Sequence, residues 1–353
     1  MKKVLLCERS LTGHRKVYLN KLSEIRECEF FSYAPGFTDV PKKNMYISED
    51  KGNDKSLTSY LSWISGLRKI VKEEKIDVVH ILDGDSIMRF FGLGFWDLRC
   101  VITYHHFYDG QLRKISYRML NYNKKSVSVV HTEPFRERLI DYGIKNAVVC
   151  DYPAFNFEKI DSLNAEECKA FFGLRSDTPV IGMIGNISAY KRIVPFLRIM
   201  QNCNTPFQIL LCGKPNDVSV EEINMAIEPY KKNVVGIYRL LNDEEYYKAI
   251  KASDIIYSIY GLEFDGASGP LTDGVCGKKM ILSSSHGSLG NTMRKNDLGI
   301  IVDVEDDEDV LNKTEYALKH VFTFQYSEKA CMYREMIRPE RFLEGYRDIY
   351  LEE

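Results

Sequence analysis

The sequence lacks several features that would decide its class at once. No apolar run approaches the roughly 20 residues that a membrane-spanning helix needs, which argues against an integral helical membrane protein. Met1-Lys2-Lys3 runs straight into the strand-like Val4-Leu5-Leu6-Cys7, without the charged, apolar and cleavable succession of an export signal. Nine Cys form no C-x-x-C pair, which disfavours a zinc ribbon or a disulfide framework and favours buried thiols in a cytoplasmic protein. Repeats, low-complexity tracts and heptad runs are absent too. So is a charge excess of one sign: 48 Lys and Arg stand against 50 Asp and Glu. A pI near 6.4 gives nucleic-acid binding no support.

What is present is a globular composition, 44% apolar and 28% charged, over 353 residues. That length calls for two domains. The small net charge hides a division. Residues 1–155 hold 25 Lys and Arg against 19 Asp and Glu, a surplus of six positive charges, and the remainder is negative by eight. The halves are therefore expected to meet different partners.

Short β-branched runs alternate with helical patterns throughout, the signature of parallel α/β architecture. In the first half, strands are expected at 4–7, 29–33, 78–81, 100–104, 126–131 and 147–150, with helices at 15–25, 57–74 and 135–142. The segment 151–156 contains Pro153 and no periodicity, and reads as a linker. The second half repeats the scheme with strands at 180–184, 207–212, 234–238, 255–258, 279–283 and 299–302. Its helices are expected at 165–172, 193–202, 220–230, 243–252 and 270–276, and the chain reads helical after Asp306 with a break near Pro339. Ligands of doubly wound sheets bind beyond the carboxyl ends of the strands, so the strand-to-helix loops are where chemistry is sought.

The most informative loop follows the strand at 255–258 and reads Asp265-Gly266-Ala267-Ser268-Gly269-Pro270-Leu271-Thr272-Asp273. Gly269-Pro270 opens a helix whose first amides suit a phosphate. Nearby carboxylates can accept hydrogen bonds from sugar or ribose hydroxyls. The plain structural alternative is a Gly/Pro turn with two solvated aspartates.

This loop resembles the E-x7-E segment of retaining GT-B glycosyltransferases of the family-4 type, with Asp at both Glu positions. Val275-Cys276-Gly277-Lys278 is similar to that family's A-C-G-K, one residue nearer. Gly185-Asn186-Ile187-Ser188-Ala189-Tyr190-Lys191 resembles the family's G-R-L-x-x-x-K. The resemblance makes Lys191 a ligand of the donor diphosphate, puts Asn186 where the family has Arg, and offers Arg192 as a substitute. Leu211-Cys212-Gly213-Lys214 resembles the family's strand ending in a glycine turn, and Arg239-Leu240 falls where backbone groups meet the base. Gly13, in Leu11-Thr12-Gly13-His14, matches the loop that faces the donor phosphates.

The resemblance implies further roles. Asp265 would hold donor-sugar hydroxyls and Asp273 the ribose, with Gly185, Gly213, Gly269, Pro270 and Leu271 also at the donor. Tyr104-His105-His106-Phe107 ends a strand where family members often place a His beside the transferred sugar, and His106 is preferred over His105 because it lies further beyond the strand. His80, inside Ile76-Asp77-Val78-Val79-His80, reads as structural, and Thr132 as a helix cap. Leu112–Lys125 carries Arg113, Lys114, Arg118, Lys124 and Lys125 without an acid, and Leu112, Ile115, Met119 and Tyr122 trace one apolar stripe. The stripe either packs into its domain or meets an anionic membrane.

The expected fold is α/β of GT-B type: two doubly wound Rossmann-like domains facing an inter-domain cleft. The expected domains are 1–155 on the acceptor side, 156–330 for the nucleotide sugar, and 331–353 as a helix crossing back. The expected activity is metal-independent transfer of a hexosyl group, with retention, from a UDP- or GDP-type sugar to a lipid-linked or saccharide hydroxyl, in surface polysaccharide or glycolipid assembly. No cofactor and no nucleic acid enter, and the expected location is the cytoplasm, peripheral on the inner face of the membrane. Two alternatives stand beside it: a catalytically impaired sugar-nucleotide-binding scaffold, and a nucleotide-sugar 2-epimerase.

Overall fold

The computed structural model describes the chain except for residues 12–14, 50–53, 55, 121 and 353. It divides into two units: Met1–Tyr152 together with Pro339–Glu353, and Pro153–Arg338.

The first unit runs β1 (Lys2–Cys7), α1 (Arg15–Leu22), β2 (Cys28–Ala34), β3 (Met45–Ile47), α2 (Leu57–Glu74), β4 (Val78–Ile81), α3 (Gly84–Ile87), β5 (Cys100–Thr103), α4 (Gln111–Leu120), β6 (Val127–Val130), α5 (Glu133–Asp141) and β7 (Ala147–Val149). Its strands are all parallel, in the order β3-β2-β1-β4-β5-β6-β7. Strands β4, β5 and β6 are buried at every position, mostly apolar as parallel strands are, with His80, Thr103 and Ser128 as the buried polar exceptions. Helix α2 starts where Ser56 Oγ accepts from Ser59 N and stops at Lys75 in the left-handed region. Tyr60, Trp63, Ile64, Leu67 and Ile70 form its buried face, at helical spacing.

The second unit runs α6 (Phe157–Ser162), α7 (Ala165–Phe171), β8 (Val180–Ile184), α8 (Ile193–Ile199), β9 (Gln208–Cys212), α9 (Val220–Ile227), β10 (Val234–Ile237), α10 (Asp243–Ala252), β11 (Ile255–Ser258), α11 (Gly269–Cys276), β12 (Met280–Ser284), α12 (Gly287–Asn296), β13 (Gly299–Val302), α13 (Asp307–His320) and α14 (Glu328–Met336). Its order, β10-β9-β8-β11-β12-β13, is again parallel. Capping boxes at Ser219/Glu222 and Asn242/Glu245 start α9 and α10.

The last helix, α15 (Pro339–Leu351), belongs to the first unit. Tyr346 and Tyr350 are fully buried there. Tyr18 Oη lies 2.6 Å and Thr103 Oγ1 2.8 Å from Tyr346 Oη, while Tyr350 Oη lies 2.6 Å from His80 Nδ1. His80 also meets Thr103 Oγ1 at 2.9 Å, and burial lowers its imidazole to about 3, so it stays neutral within the core. All nine thiols are free and only Cys331 is exposed.

Two elements depart from expectation. The edge strand β3 was not foreseen, because three residues are too few to carry a period. In α4 the buried face is Ser116, Tyr117 and Leu120, whereas Leu112, Ile115 and Tyr122 of the apolar stripe face outward. Packing took the neighbouring face and left Leu112, Ile115 and Tyr122 exposed, with Met119 of the stripe half-buried.

Candidate functional site

In the second unit the strand order reverses between β8 and β11, which puts the natural ligand position beyond their carboxyl ends. The turn leaving β8 passes through Gly185 with φ +98°, a conformation that favours glycine. A Cβ on Gly185 would lie 3.2 Å from Lys191 Nζ and 3.8 Å from Pro270 Cγ. Lys191, on a single helical turn (Ala189–Lys191), therefore brings its ammonium against the β8 turn and the start of α11. It has no carboxylate partner among the described residues, and burial lowers it to about 8. The adjoining turn at Gly213 packs so closely that a Cβ there would meet Gly185 O at 1.8 Å.

At the start of α11, Ser268 Oγ accepts from Leu271 N and Ser268 O from Thr272 N, while Pro270 has no N–H. Gly269 N–H is the amide of this turn left without an acceptor among the described residues. An ammonium, a glycine turn and a helix start thus converge on one spot, a combination suited to a phosphate oxygen. Tyr190, Tyr260 and Phe264 line the adjacent loop as a stack, with Tyr260 and Phe264 centroids 4.2 Å apart. Single aromatics scattered in sequence gave no signal for that wall.

The other expected donor residues have contacts or positions of their own. Arg192 takes a left-handed conformation and donates to Val304 O at 2.9 Å. It lines a separate pocket of about 410 Å³ with Asp217, Glu222, Glu263 and Glu305, whose carboxylates repel a phosphate. Asn186 is exposed on the turn after β8, beyond Gly185. Arg239 is exposed and paired twice with Glu245 at 2.7 Å, and Leu240 is exposed beside it. Asp265 accepts from Ser288 N and Ser288 Oγ at 3.0 and 2.7 Å, which caps α12. Asp273 is buried between helices, accepts from Tyr246 Oη at 2.8 Å and is also bonded by Asn156. Burial raises it to about 6. Leu271 is part of the core.

In the first unit, Glu8, Asp83 and Asp85 cluster at the carboxyl ends of β1 and β4. Arg15 bridges Glu8 at 3.3 Å and Asp83 at 2.8 Å. Burial, then Asp83, raises Glu8 to about 8. Asp85 accepts from the backbone N–H of both His105 and His106, so it fixes the turn that carries them. His105 is engaged at both ring nitrogens, with Leu82 O at 2.9 Å and His131 Nε2 at 3.3 Å. His106 is exposed. These carboxylates were not foreseen as a group, because their spacing in sequence matches no motif. Gly13 lies outside the described residues.

Residues 26–150 match the model of the family described as Glycosyltransferase Family 4. No curated protein matches the chain. Among solved structures, a glycosyltransferase from Rickettsia africae is similar at TM-score 0.76 and 18% identity, over 99% of this chain and 98% of that one. A sucrose-phosphate synthase from Thermosynechococcus elongatus is similar at 0.76 and 14%, with the same coverage. The Anabaena protein HepE, in complex with UDP, is similar at 0.75 and 10%, over 99% of both chains. The family match covers only the first unit, but the structural likeness runs through both. The chain has the GT-B fold, built from two parallel α/β units with the same order over six strands and a seventh, β7, added in the first.

Proposed function

We propose that the chain is a glycosyltransferase that moves a sugar from a nucleoside diphosphate sugar to a hydroxyl, with retention at the anomeric carbon. The observation that carries this reading is the Lys191 ammonium, held against Gly185 and Pro270 with no carboxylate among the described residues to neutralise it. A partly buried cation without a counter-ion is costly, and a diphosphate would supply the missing charge. Two findings support the donor class: the family match over 26–150, and the UDP and UDP-glucose that HepE holds in its own structures. In this reading Lys191 and Gly269 N–H take the charge that develops on the departing diphosphate as the sugar becomes oxocarbenium-like. The lysine does this without a metal, so activity should survive EDTA. His106 is the candidate beside the transferred sugar. The acceptor is a hydroxyl of a saccharide or lipid-linked intermediate in surface polysaccharide or glycolipid assembly.

The test is a panel of UDP- and GDP-sugars, read first as thermal stabilisation and then as nucleoside diphosphate release with saccharide and lipid-linked acceptors. Wild type is expected to be stabilised and to release the diphosphate, and Lys191→Ala to do neither. One observation favours a second reading, a sugar-nucleotide-binding subunit with impaired catalysis: Asp265 and Asp273 are both engaged in structural bonds. Tight donor binding without diphosphate release from any acceptor would establish that reading and sink the transferase.

A further inference from the structure

We propose that His105 and His131 share one proton between their facing ring nitrogens, and that this cationic pair positions the turn 104–107 that carries His106. His131 directly follows β6 and is buried, and His105 lies just past the end of β5. Their ring centroids are 5.1 Å apart, with His105 Nδ1 3.3 Å from His131 Nε2. On the outer sides, His131 Nδ1 lies 2.8 Å from Cys150 O and His105 Nε2 2.9 Å from Leu82 O.

The two carbonyls fix where the protons are. A carbonyl oxygen only accepts, so both outer nitrogens carry hydrogen. A neutral imidazole has a single N–H, and two neutral rings would therefore face each other with two bare lone pairs. With two further protons the inner contact becomes N–H against N–H. One further proton turns it into a hydrogen bond, in which the N–H of one ring donates to the nitrogen of the other. The pair then has a partner at every nitrogen and carries one positive charge. Leu82 follows β4 and Cys150 follows β7, so this one proton ties together the carboxyl ends of four neighbouring strands.

The surroundings leave that assignment in place. Tyr18 of α1 meets both rings edge-on, at 5.9 and 6.2 Å, and its hydroxyl is engaged with Tyr346 Oη. Tyr152 meets His131 edge-on at 5.2 Å. Burial pushes the Cys150 thiol up to about 12, so it brings no charge. From α3, Asp85 accepts from the backbone N–H of His105 and His106, and Asp83 beside it is bridged by Arg15. Asp151 follows Cys150, and Glu133 of α5 is paired with Arg136. Acids near a buried imidazolium offset the cost of its desolvation.

The pair is a property of the first unit, whereas its effect on transfer rests on the glycosyltransferase reading. The full chain labelled with 15N-histidine reports ring and backbone nitrogens together, with the seven histidines assigned by single substitutions to Gln. At pH 7, His105 Nδ1 and His131 Nε2 should show one proton between them. Both signals should change in the same two steps, more than about one pH unit apart. His131→Phe should leave His105 with a single step, about one pH unit or more below the upper one. The backbone amides of His105 and His106 should move with the upper step, and kcat should fall about threefold or more above it at unchanged donor KM. Bare nitrogens at both inner positions in the wild type at pH 7, or a His105 titration that His131→Phe leaves unchanged, overturns the pair. Amides that ignore the upper step overturn its positioning role. A chain that releases no diphosphate sinks the transferase reading, while the ring and amide signals still decide the pair.

Discussion

Two ionisable side chains of the second unit are held away from their ordinary behaviour, and the consequences have opposite signs. Lys191 is lowered from 10.5 to about 8, so between those values the unfolded chain binds more protons and stability rises with pH. At neutral pH the charged form is a burden on the unliganded protein. Lys191→Met should therefore raise stability by ~1 kcal/mol, a few degrees in melting temperature, while abolishing stabilisation by UDP. Binding of a diphosphate requires the ammonium, so UDP affinity should fall as pH rises above 8, a trend calorimetry would reveal. Asp273 is raised from 3.8 to about 6, so the folded protein binds more protons in that window and stability falls as pH rises through it. Asp273→Asn should stabilise at pH 7.5 by about 1–3 kcal/mol, with the gain gone near pH 4, as urea titrations at the two pH values would record. Donor affinity measured on the same variant should change less than about threefold, because the carboxylate faces Tyr246; a larger loss would return the ribose to Asp273.

At the scale of elements, the turns after β8 and β9 depend on each other. Gly213→Ala would drive a Cβ into Gly185 O and distort the turn that carries Lys191 towards its site. The expected cost is about 3 kcal/mol or more, measured by chemical denaturation, with donor binding lost beyond what the stability change explains. Much at this scale was legible in the sequence. The strands 78–81, 180–184, 255–258 and 299–302 and the helix 57–74 are where apolar runs and helical spacing put them. Strands buried on both faces of a parallel sheet read as near-continuous apolar runs rich in Val and Ile, and few other arrangements produce that pattern. The site was legible only in part. Lys191 and Gly213 were picked out by resemblance to family segments, and the turns that carry them do lie together. The engagement of Asp265 with Ser288, or of Arg192 with Val304, depends on partners far along the chain that no local pattern encodes. The outward stripe of α4 had the same ambiguity: spacing reveals an apolar face, but not which of two faces the fold will cover.

At the scale of the molecule, the two units differ in how the chain supplies them. The second is one continuous stretch with its own core, whereas the first takes α15 from the far end of the sequence. Residues 153–338 expressed alone should fold cooperatively and keep UDP-induced stabilisation. Residues 1–152 alone should lack a cooperative melt, because Tyr18, His80 and Thr103 lose the buried tyrosines they bond. Joining 339–353 to 152 through a flexible linker should restore it, and circular dichroism melts of the three proteins decide the matter.

The borrowed helix also has a consequence in time. During synthesis the first unit leaves the ribosome early, yet Tyr18, His80 and Thr103 lack their buried partners until residues 339–351 emerge. At about 5–20 residues per second, the intervening stretch holds it open for roughly 10–40 s. The unit that begins first therefore finishes last, and until then it exposes the surface that Phe342, Tyr346, Ile349 and Tyr350 will cover. A chain that stops just before α15 would retain an intact second unit and an unfinished first one, so the buried tyrosines of α15 tie completion of the first unit to synthesis of the second.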